Sequence, residues 1–198
     1  DRLADSEASV IVTTPELAGR IPADDLPHLK HIFIVGENVE EKGKYIDFLS
    51  KFKGASKELE IEWVDREDGL ILHYTSGSTG KPKGVLHAHN AMIQHLQTGK
   101  WVLDLKEEDV YWCTADPGWV TGTAYGIFAP WLNGASSVVT GGRFSPEAWY
   151  ETIEEFHVSV WYSAPTAFRM LMGAGDEIVK KYNLSSLRHV LSVGEPLN

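Results

Sequence analysis

Residues 69–84 read GLILHYTSGSTGKPKG, an apolar run followed at once by glycine, hydroxyl and lysine side chains. The apolar first part, 69–74, predicts a buried β-strand. The glycines that follow allow positive φ and close approach of a ligand, and consecutive amide groups in such a loop can form an anion site. Lysine adds a point charge that suits phosphate. The stretch therefore predicts a strand that leads into a phosphate-binding loop.

The charge around this loop differs from that of the whole chain. The 198 residues carry a net charge of −10, yet no Asp or Glu lies between residues 69 and 103. The same window holds Lys81, Lys83 and Lys100 together with four histidines. An acidic protein thus keeps one local patch that attracts a polyanion, while a general nucleic-acid-coating surface is not expected.

Two other interpretations of the loop are weaker. A flexible Gly/Ser linker does not usually place lysine and proline in this order after an apolar strand. The nucleotide-binding P-loop needs Gly, four residues, and then Gly-Lys-Ser/Thr. Here Thr75 stands where the first glycine belongs, and Pro82 follows Lys81. The pattern of ordinary P-loop NTPases therefore fails at both ends.

Outward from the loop, short apolar runs alternate with amphipathic stretches. Strands are predicted at 9–13, 31–35, 59–64, 69–74, 110–114, 136–140, 158–162 and 189–193, and helices at 40–52, 89–103, 120–132, 146–156 and 165–182. Ser145 and Pro146 suit the start of the helix at 146–156. Strand–helix alternation at this spacing predicts an α/β fold with a mainly parallel sheet flanked by helices. The mixed-charge region 39–68 is either a subdomain seam or one long solvated excursion.

The remaining composition limits compartment and metal chemistry. No apolar run reaches the length that a membrane span needs, and the single cysteine, Cys113, fits a reducing compartment, so the cytoplasm is predicted. Cys113 lies in an apolar run and is expected to be a buried, inert thiol. His87 and His89 would share one face if they lay on a strand, but no Cys, Asp or Glu completes a ligand set. We therefore predict no metal site.

The loop also resembles a family signature. Residues 76–84, directly after Thr75, match the Thr/Ser-Gly-Ser/Thr-Thr-Gly-x-Pro-Lys-Gly loop of the adenylate-forming, or AMP-binding, superfamily. Three more segments resemble that family in order and spacing: DPGWVTG at 116–122, YSAPTA at 162–167 and SVGEPLN at 192–198. Together they are most similar to the acetate-activating acyl-CoA synthetases of the superfamily.

The resemblance implies an activity and its substrates. A parent enzyme would convert ATP, acetate and CoA, with Mg²⁺, into acetyl-CoA, AMP and diphosphate through an acetyl-adenylate. It implies that residues 1–198 are an internal part of the large N-terminal domain, without the C-terminal domain and its catalytic lysine. No catalytic residue is therefore expected here, and the chain alone should be inactive. Another short- or medium-chain acyl-CoA synthetase, or a nucleotide-binding module without ligase chemistry, remains an alternative.

The resemblance also assigns roles to residues. It places the ATP phosphates on Thr75, Ser76, Gly77, Ser78, Thr79, Gly80, Lys81 and Lys83, the acyl group and CoA on Trp119, Val120, Thr121 and Val193, and adenine on Gly194, Glu195 and Pro196. Trp119 taken alone is more typical of a core residue, but its place in the segment 116–122 favours the pocket role. Glu195 could be a solvated carboxylate, although ligands gather at the carboxyl ends of parallel strands. Nucleic acids and membranes are not expected as partners.

Overall fold

The computed structural model describes residues 1–75 and 80–196. The chain divides into two compact units, Asp1–Ala88 and His89–Asn198. The possible seam at 39–68 lies inside the first of these units. In the described part of the chain, no helix is long and apolar enough to cross a membrane.

The first unit contains a small parallel sheet of three strands in the order β1-β2-β3. The strands are β1 (Val10–Thr13), β2 (His31–Ile34) and β3 (Tyr45–Asp47), and the helices are α1 (Arg2–Asp5), α2 (Pro15–Ala18) and α3 (Phe48–Gly54). Alternate side chains of β2, Ile32 and Ile34, are buried against Ala18, Leu26 and Leu29. Period-two burial on one face is what a strand with one covered side shows.

The same unit also contains an antiparallel hairpin formed by β4 (Gly69–Thr75) and β5 (Lys83–Ala88). Tyr74 pairs with Gly84, and Thr75 pairs with Lys83. The strand predicted at 69–74 is therefore present, whereas β5 was not predicted. Residues 83–88 contain glycine, lysine and histidine, so their strand character depends on pairing with β4.

The second unit is built on a four-stranded, wholly parallel sheet in the order β7-β6-β8-β9. Its strands are β6 (Val110–Cys113), β7 (Ser136–Val138), β8 (Val160–Ser163) and β9 (His189–Ser192). Its helices are α4 (Met92–Trp101), α5 (Val120–Thr123), α6 (Ala129–Leu132), α7 (Pro146–Glu155), α8 (Pro165–Gly173) and α9 (Asp176–Val179). This alternation confirms the predicted α/β fold class.

Both faces of this sheet are covered. Tyr111 of β6 packs with Val160 and Tyr162 of β8 on one face, next to Ala129 of α6. The intervening residues of the same strands, Trp112 and Trp161, point to the other face. There they pack with Tyr150, Ile153 and Leu171, which come from α7 and α8. Strands buried on two faces read as nearly continuous apolar and aromatic runs, as β6 and β8 do apart from Ser163 at the end of β8.

Two of the predicted elements are wrong. Residues 59–64 form no strand with any described residue, and Leu59 and Trp63 are almost fully exposed. An alternating pattern gives a strand only where a partner edge is available. The helix predicted at 40–52 is replaced by β3 and α3, because Ile46 pairs with Phe33 of β2. The Asp47 side chain then caps α3 by accepting from the amide groups of its second and third residues.

The helices predicted at 120–132 and 165–182 are in the right places, but each contains an irregularity that the sequence did not indicate. The stretch 165–182 splits into α8 and α9 because Gly175 takes φ +88°. The stretch 120–132 is helical throughout, but its middle, Ala124–Phe128, is a π-helix. The start of α7 is confirmed, because Ser145 Oγ accepts from the Ala148 amide and Pro146 is the first helical residue.

Candidate functional site

The glycine-rich loop connects the two strands of the hairpin. Its ends are Thr75 and Lys83, which face each other across the ladder, so the loop begins and ends at adjacent points. Ser76, Gly77, Ser78 and Thr79, four of the predicted phosphate ligands, lie outside the described residues. Gly80 takes φ +81° and has open space where a Cβ would be. Glycine is therefore required at this position by backbone conformation rather than by close packing.

The two lysines of the loop are available to a ligand. Lys81 and Lys83 are both exposed, and within 1–75 and 80–196 no carboxylate forms an ion pair with either side chain. Lysine ammonium groups held at one hairpin end can neutralise phosphate oxygens without first breaking a salt bridge.

Tyr74, next to the loop, is anchored to the N-terminal helix of its unit. Its hydroxyl group donates to Asp5 Oδ2 at 2.7 Å. This hydrogen bond from the neutral phenol raises the pKa of Tyr74, so the hydroxyl stays protonated at neutral pH. The two partners are 69 residues apart in sequence, so this hydrogen bond connects the end of β4 to α1.

The other predicted site residues follow the carboxyl ends of strands in the second unit. The ladder continues past the strand ends, since the Thr114 amide donates to Tyr162 O at 3.0 Å and the Val193 amide to Ser163 O at 3.0 Å. The hydroxyl oxygens of Thr114 and Ser163 are 2.5 Å apart. The segments after β6 and β9 thus leave the same sheet edge, two strand spacings or about 10 Å apart. Ligands bind at this edge in α/β folds.

A tight turn follows β6 and leads into α5. The Gly118 amide donates to Asp116 Oδ1 at 2.6 Å, and the Trp119 amide donates to Asp116 O at 2.9 Å. The buried hydroxyl group of Thr123 donates to Pro117 O at 2.6 Å. A Cβ on Gly122 would lie 2.1 Å from Asp116 O. Because Gly122 has no side chain, the turn can lie directly against α5, the helix that contains this glycine.

This turn presents its side chains outward. The side chain of Trp119, at the start of α5, is 74% exposed, and Val120 is also exposed, while Thr121 is half-buried. Trp119 is thus not a core residue of its unit. Val193 is half-buried and packs against the cluster that contains Tyr162. The acyl-pocket role of these four residues stays a prediction.

A pocket of about 500 Å³ opens at the same edge, beyond β6 and β7. Residues 113–117, Gly122 and residues 138–144 contribute to its wall, whereas Trp119, Val120 and Val193 do not. Cys113 is part of this wall and is half-buried. Burial raises the pKa of the Cys113 thiol, so it remains protonated and weakly nucleophilic, as the sequence predicts.

The segment after β9 is held by α8. Glu195 accepts from Thr166 Oγ1 at 2.7 Å and 2.9 Å, and from Arg169 Nη1 at 3.2 Å. Arg169 Nη2 also donates to Pro196 O at 3.1 Å. The hydrogen bonds from Thr166 and then from Arg169 lower the pKa of Glu195, so its carboxyl group is ionised at neutral pH. Gly194 takes φ +91°, which turns the chain at this point.

The side chains that can bind metal ions do not cluster anywhere among the described residues. No group of three or more His, Cys, Asp or Glu side chains is arranged to hold a metal ion among them. His87 packs against His73, with ring centroids 5.5 Å apart. Burial, and then the neighbouring His87, lower the pKa of His73, so this ring is neutral at pH 7.

Sequence reasoning missed two side chains at this edge. Thr166 lies inside the segment 162–167, and Arg169 lies outside all four segments that resemble the family, so neither is among the predicted site residues. The available signal was their spacing of three residues at the start of a predicted helix, which places both on one face. What spacing alone did not reveal is that this face lies against Glu195.

Comparisons with known proteins agree with the family resemblance of the four sequence segments. The family model described as "AMP-binding enzyme" matches residues 1–198. The acetyl-coenzyme A synthetase of Bacillus subtilis is 71% identical over 198 residues, which is all of this chain and 35% of that protein. The chain thus spans about a third of the length of the curated relatives it matches.

Two solved structures share the fold closely. An acyl-CoA synthetase from Brucella canis superposes with a TM-score of 0.89 at 30% identity, covering 100% of this chain and 36% of the other. The anthranilate CoA ligase AuaEII in complex with anthranoyl-AMP gives a TM-score of 0.88 at 32% identity, covering 99% and 38%. The family match over the whole chain and these likenesses lead to one conclusion: the chain belongs to the AMP-binding enzyme family.

Proposed function

We propose that the longer protein to which this chain belongs activates acetate. The observation that carries this proposal is the 71% identity with the Bacillus subtilis acetyl-coenzyme A synthetase along the entire chain. The proposed overall reaction converts ATP, acetate and CoA into acetyl-CoA, AMP and diphosphate.

Two displacements make up the proposed reaction. An acetate oxygen attacks the α-phosphorus of Mg–ATP, the bond to the diphosphate oxygen breaks, and acetyl-adenylate forms. The thiol of CoA then loses its proton and attacks the acetyl carbonyl carbon, and AMP departs. Adenylation is needed because a carboxylate is a poor acyl donor, and the enzyme contributes by positioning and by stabilising phosphate charge.

The described residues suit specific parts of this scheme. Lys81 and Lys83 are exposed and can neutralise the β- and γ-phosphates, and Gly80 allows the backbone to approach them closely. Trp119, Val120, Thr121 and Val193 are assigned to the acyl group, and residues 194–196 to adenine. Mg²⁺ enters as part of the substrate Mg–ATP.

The test is acetate-dependent exchange of labelled diphosphate into ATP by the full-length protein. Exchange that requires acetate, followed by acetyl-CoA formation on addition of CoA, is the expected result. A protein that binds ATP but shows no exchange with any carboxylic acid is a nucleotide-binding module, and that outcome contradicts the proposal. The 198-residue chain alone should form no acetyl-CoA.

A second candidate is a ligase for a different acid. It is favoured by the likeness to the anthranilate CoA ligase AuaEII, since the shared scaffold then accommodates more than one acid. Measuring kcat/KM for acetate, propionate, butyrate, hexanoate and anthranilate separates the two. A preference for acetate by about tenfold or more over butyrate supports acetate activation, because a pocket that admitted butyrate would instead gain about 0.8 kcal/mol from each additional buried methylene.

The cytoplasm, expected from the single cysteine, remains a proposal for compartment. Fractionation of cells that produce the full-length protein, followed by immunodetection, tests it.

A further inference from the structure

The carboxylate group of Glu195 accepts hydrogen bonds from two side chains of α8. The single hydroxyl proton of Thr166 is shared between Oε1, at 2.7 Å from Oγ1, and Oε2, at 2.9 Å, and Oε2 also accepts from Arg169 Nη1 at 3.2 Å. These donors lie on its neighbouring helix, α8. Both carboxylate oxygens are therefore held against α8, which fixes the orientation of the Glu195 side chain.

Arg169 reaches two successive residues with the two arms of one guanidinium group. Nη1 donates to the Glu195 side chain, and Nη2 donates to Pro196 O at 3.1 Å. The guanidinium group is planar and presents its N–H groups in a fixed fork, so both contacts constrain the same short segment. A lysine ammonium group in its place could not reproduce that planar fork.

The helix start supplies this pair of donors by simple geometry. Pro165 is the first residue of α8, and Thr166 and Arg169 follow at a spacing of three residues on one face. On the other side, Gly194 turns the chain at φ +91° immediately after β9. The segment 194–196 is therefore shaped by a turn at one end and by α8 along its length.

We propose that Thr166 and Arg169 are positioning residues that hold residues 194–196 in the conformation that receives the adenine of ATP. This inference rests on the proposed function. Glu195 then acts on the shape of its own segment, through the hydrogen bonds that it accepts from α8. Neither Thr166 nor Arg169 touches the reacting atoms.

The expected kinetic signature follows from that role. The Arg169 and Glu195 side chains are 44% and 41% exposed, so their ion pair contributes little to global stability. We call the contacts of Thr166 and Arg169 with Glu195 and Pro196 the clamp. Loss of the clamp loosens the segment 194–196 in the ground state and in the transition state alike. Such a loss raises KM for ATP and leaves kcat nearly unchanged.

The experiment uses the full-length protein with two pairs of variants. Thr166→Val removes the hydroxyl group at nearly constant shape, and Thr166→Ser keeps it. Arg169→Lys removes the fork but keeps the charge, and Glu177→Gln breaks a different exposed ion pair of the second unit, with Lys180. The readouts are kcat, KM for ATP and for acetate, the Kd of ATP by calorimetry, and the thermal midpoint.

Thr166→Val and Arg169→Lys are expected to raise KM and Kd for ATP by about tenfold, with kcat and KM for acetate within about twofold. Thr166→Ser and Glu177→Gln should resemble the parent protein. Unchanged ATP affinity in Thr166→Val and Arg169→Lys overturns the inference, as does a loss of thermal stability and kcat without a change in ATP affinity. An equal defect in Thr166→Ser overturns it too, because the hydroxyl group would then be irrelevant.

The two proposals fail in different ways. A parent protein that binds ATP without acetate-dependent exchange contradicts acetate activation alone, and the calorimetric Kd values of the variants then still support or overturn the clamp. A parent protein that binds no ATP contradicts both.

Discussion

Gly122 shows how one side chain, or the lack of it, fixes the turn after β6. A Cβ there would lie 2.1 Å from the Asp116 carbonyl oxygen and 2.4 Å from its carbon. Both are backbone atoms, so no side-chain rotation relieves the clash. The outward position of Trp119 therefore depends on a glycine three residues later.

We expect Gly122→Ala to lower the free energy of unfolding of the chain by about 3 kcal/mol, because the turn must move away from α5. Urea titration followed by circular dichroism measures the change. The control is Gly141→Ala, where an added Cβ has open space and the backbone is not left-handed. Equal stability of the two variants would show that the turn adapts freely.

The lysines of the hairpin loop give a second residue-scale prediction. Replacing Lys81 or Lys83 by Ala should raise KM for ATP in the full-length protein by about tenfold, since each removes a charged donor to phosphate. Lys100→Ala is the matched control, because Lys100 lies in the same acid-free window but on α4. A KM for ATP that is the same in all three variants contradicts the phosphate-binding role of the loop.

At the scale of elements, a buried charge network joins the amino ends of three strands, opposite the candidate site. Asp109, only 2% exposed, precedes β6 and accepts from Ser159 Oγ at 2.8 Å and from Arg188 Nε at 2.7 Å. Ser159 precedes β8 and Arg188 precedes β9. Arg188 also pairs with Asp104 at 2.8 Å. The network therefore aligns β6, β8 and β9 at their starts.

Asp109→Asn should lower the free energy of unfolding by about 3 kcal/mol, because it removes the buried partner of Arg188. The control, Asp104→Asn, changes a half-exposed carboxylate and should cost less than about 1 kcal/mol. Asparagine also tolerates the left-handed φ of +50° at residue 104. Chemical denaturation at pH 7 measures the free energy of unfolding of both variants. Similar losses in the two would contradict the view that the buried Asp109 is the stabilising partner of Arg188.

The same network predicts a pH dependence. Burial raises the pKa of Asp109, but the hydrogen bonds from Arg188 and Ser159 outweigh it and the pKa is lowered overall. A carboxyl group with a lowered folded pKa stabilises the fold above its unfolded pKa of about 3.9, and this contribution is lost as the pH falls through the folded value. The stability gap between the parent chain and Asp109→Asn should therefore shrink below about pH 4. A gap that is constant from pH 7 to pH 3 contradicts this account.

At the scale of the molecule, the second unit contains its own sheet and the helices that cover both faces. The core clusters around Tyr111 and Trp112 draw all their residues from positions after 102. We therefore expect residues 89–198, expressed alone, to unfold cooperatively, because a two-sided core supports all-or-none unfolding. Circular dichroism during urea titration tests this, and a gradual transition without a sigmoidal step contradicts it.

Local sequence determined the elements and the segments that follow them. β-branched and aromatic runs at 110–113 and 160–163 fixed the buried strands, Ser145 fixed the start of α7, and the order of glycine and lysine after 69–75 marked the loop. These features depend on neighbours within a few residues, so they can be read in one dimension.

Only the tertiary structure decided which potential partners meet. It made Tyr45–Asp47 a strand by placing it beside β2, gave residues 83–88 a partner in β4, and left 59–64 unpaired among the described residues. It also brought Arg169 against Glu195 and Arg188 against Asp109, across 26 and 79 residues of sequence. Strand pairing and ion pairing between distant residues depend on how the chain folds back on itself, and no local pattern encodes that distance.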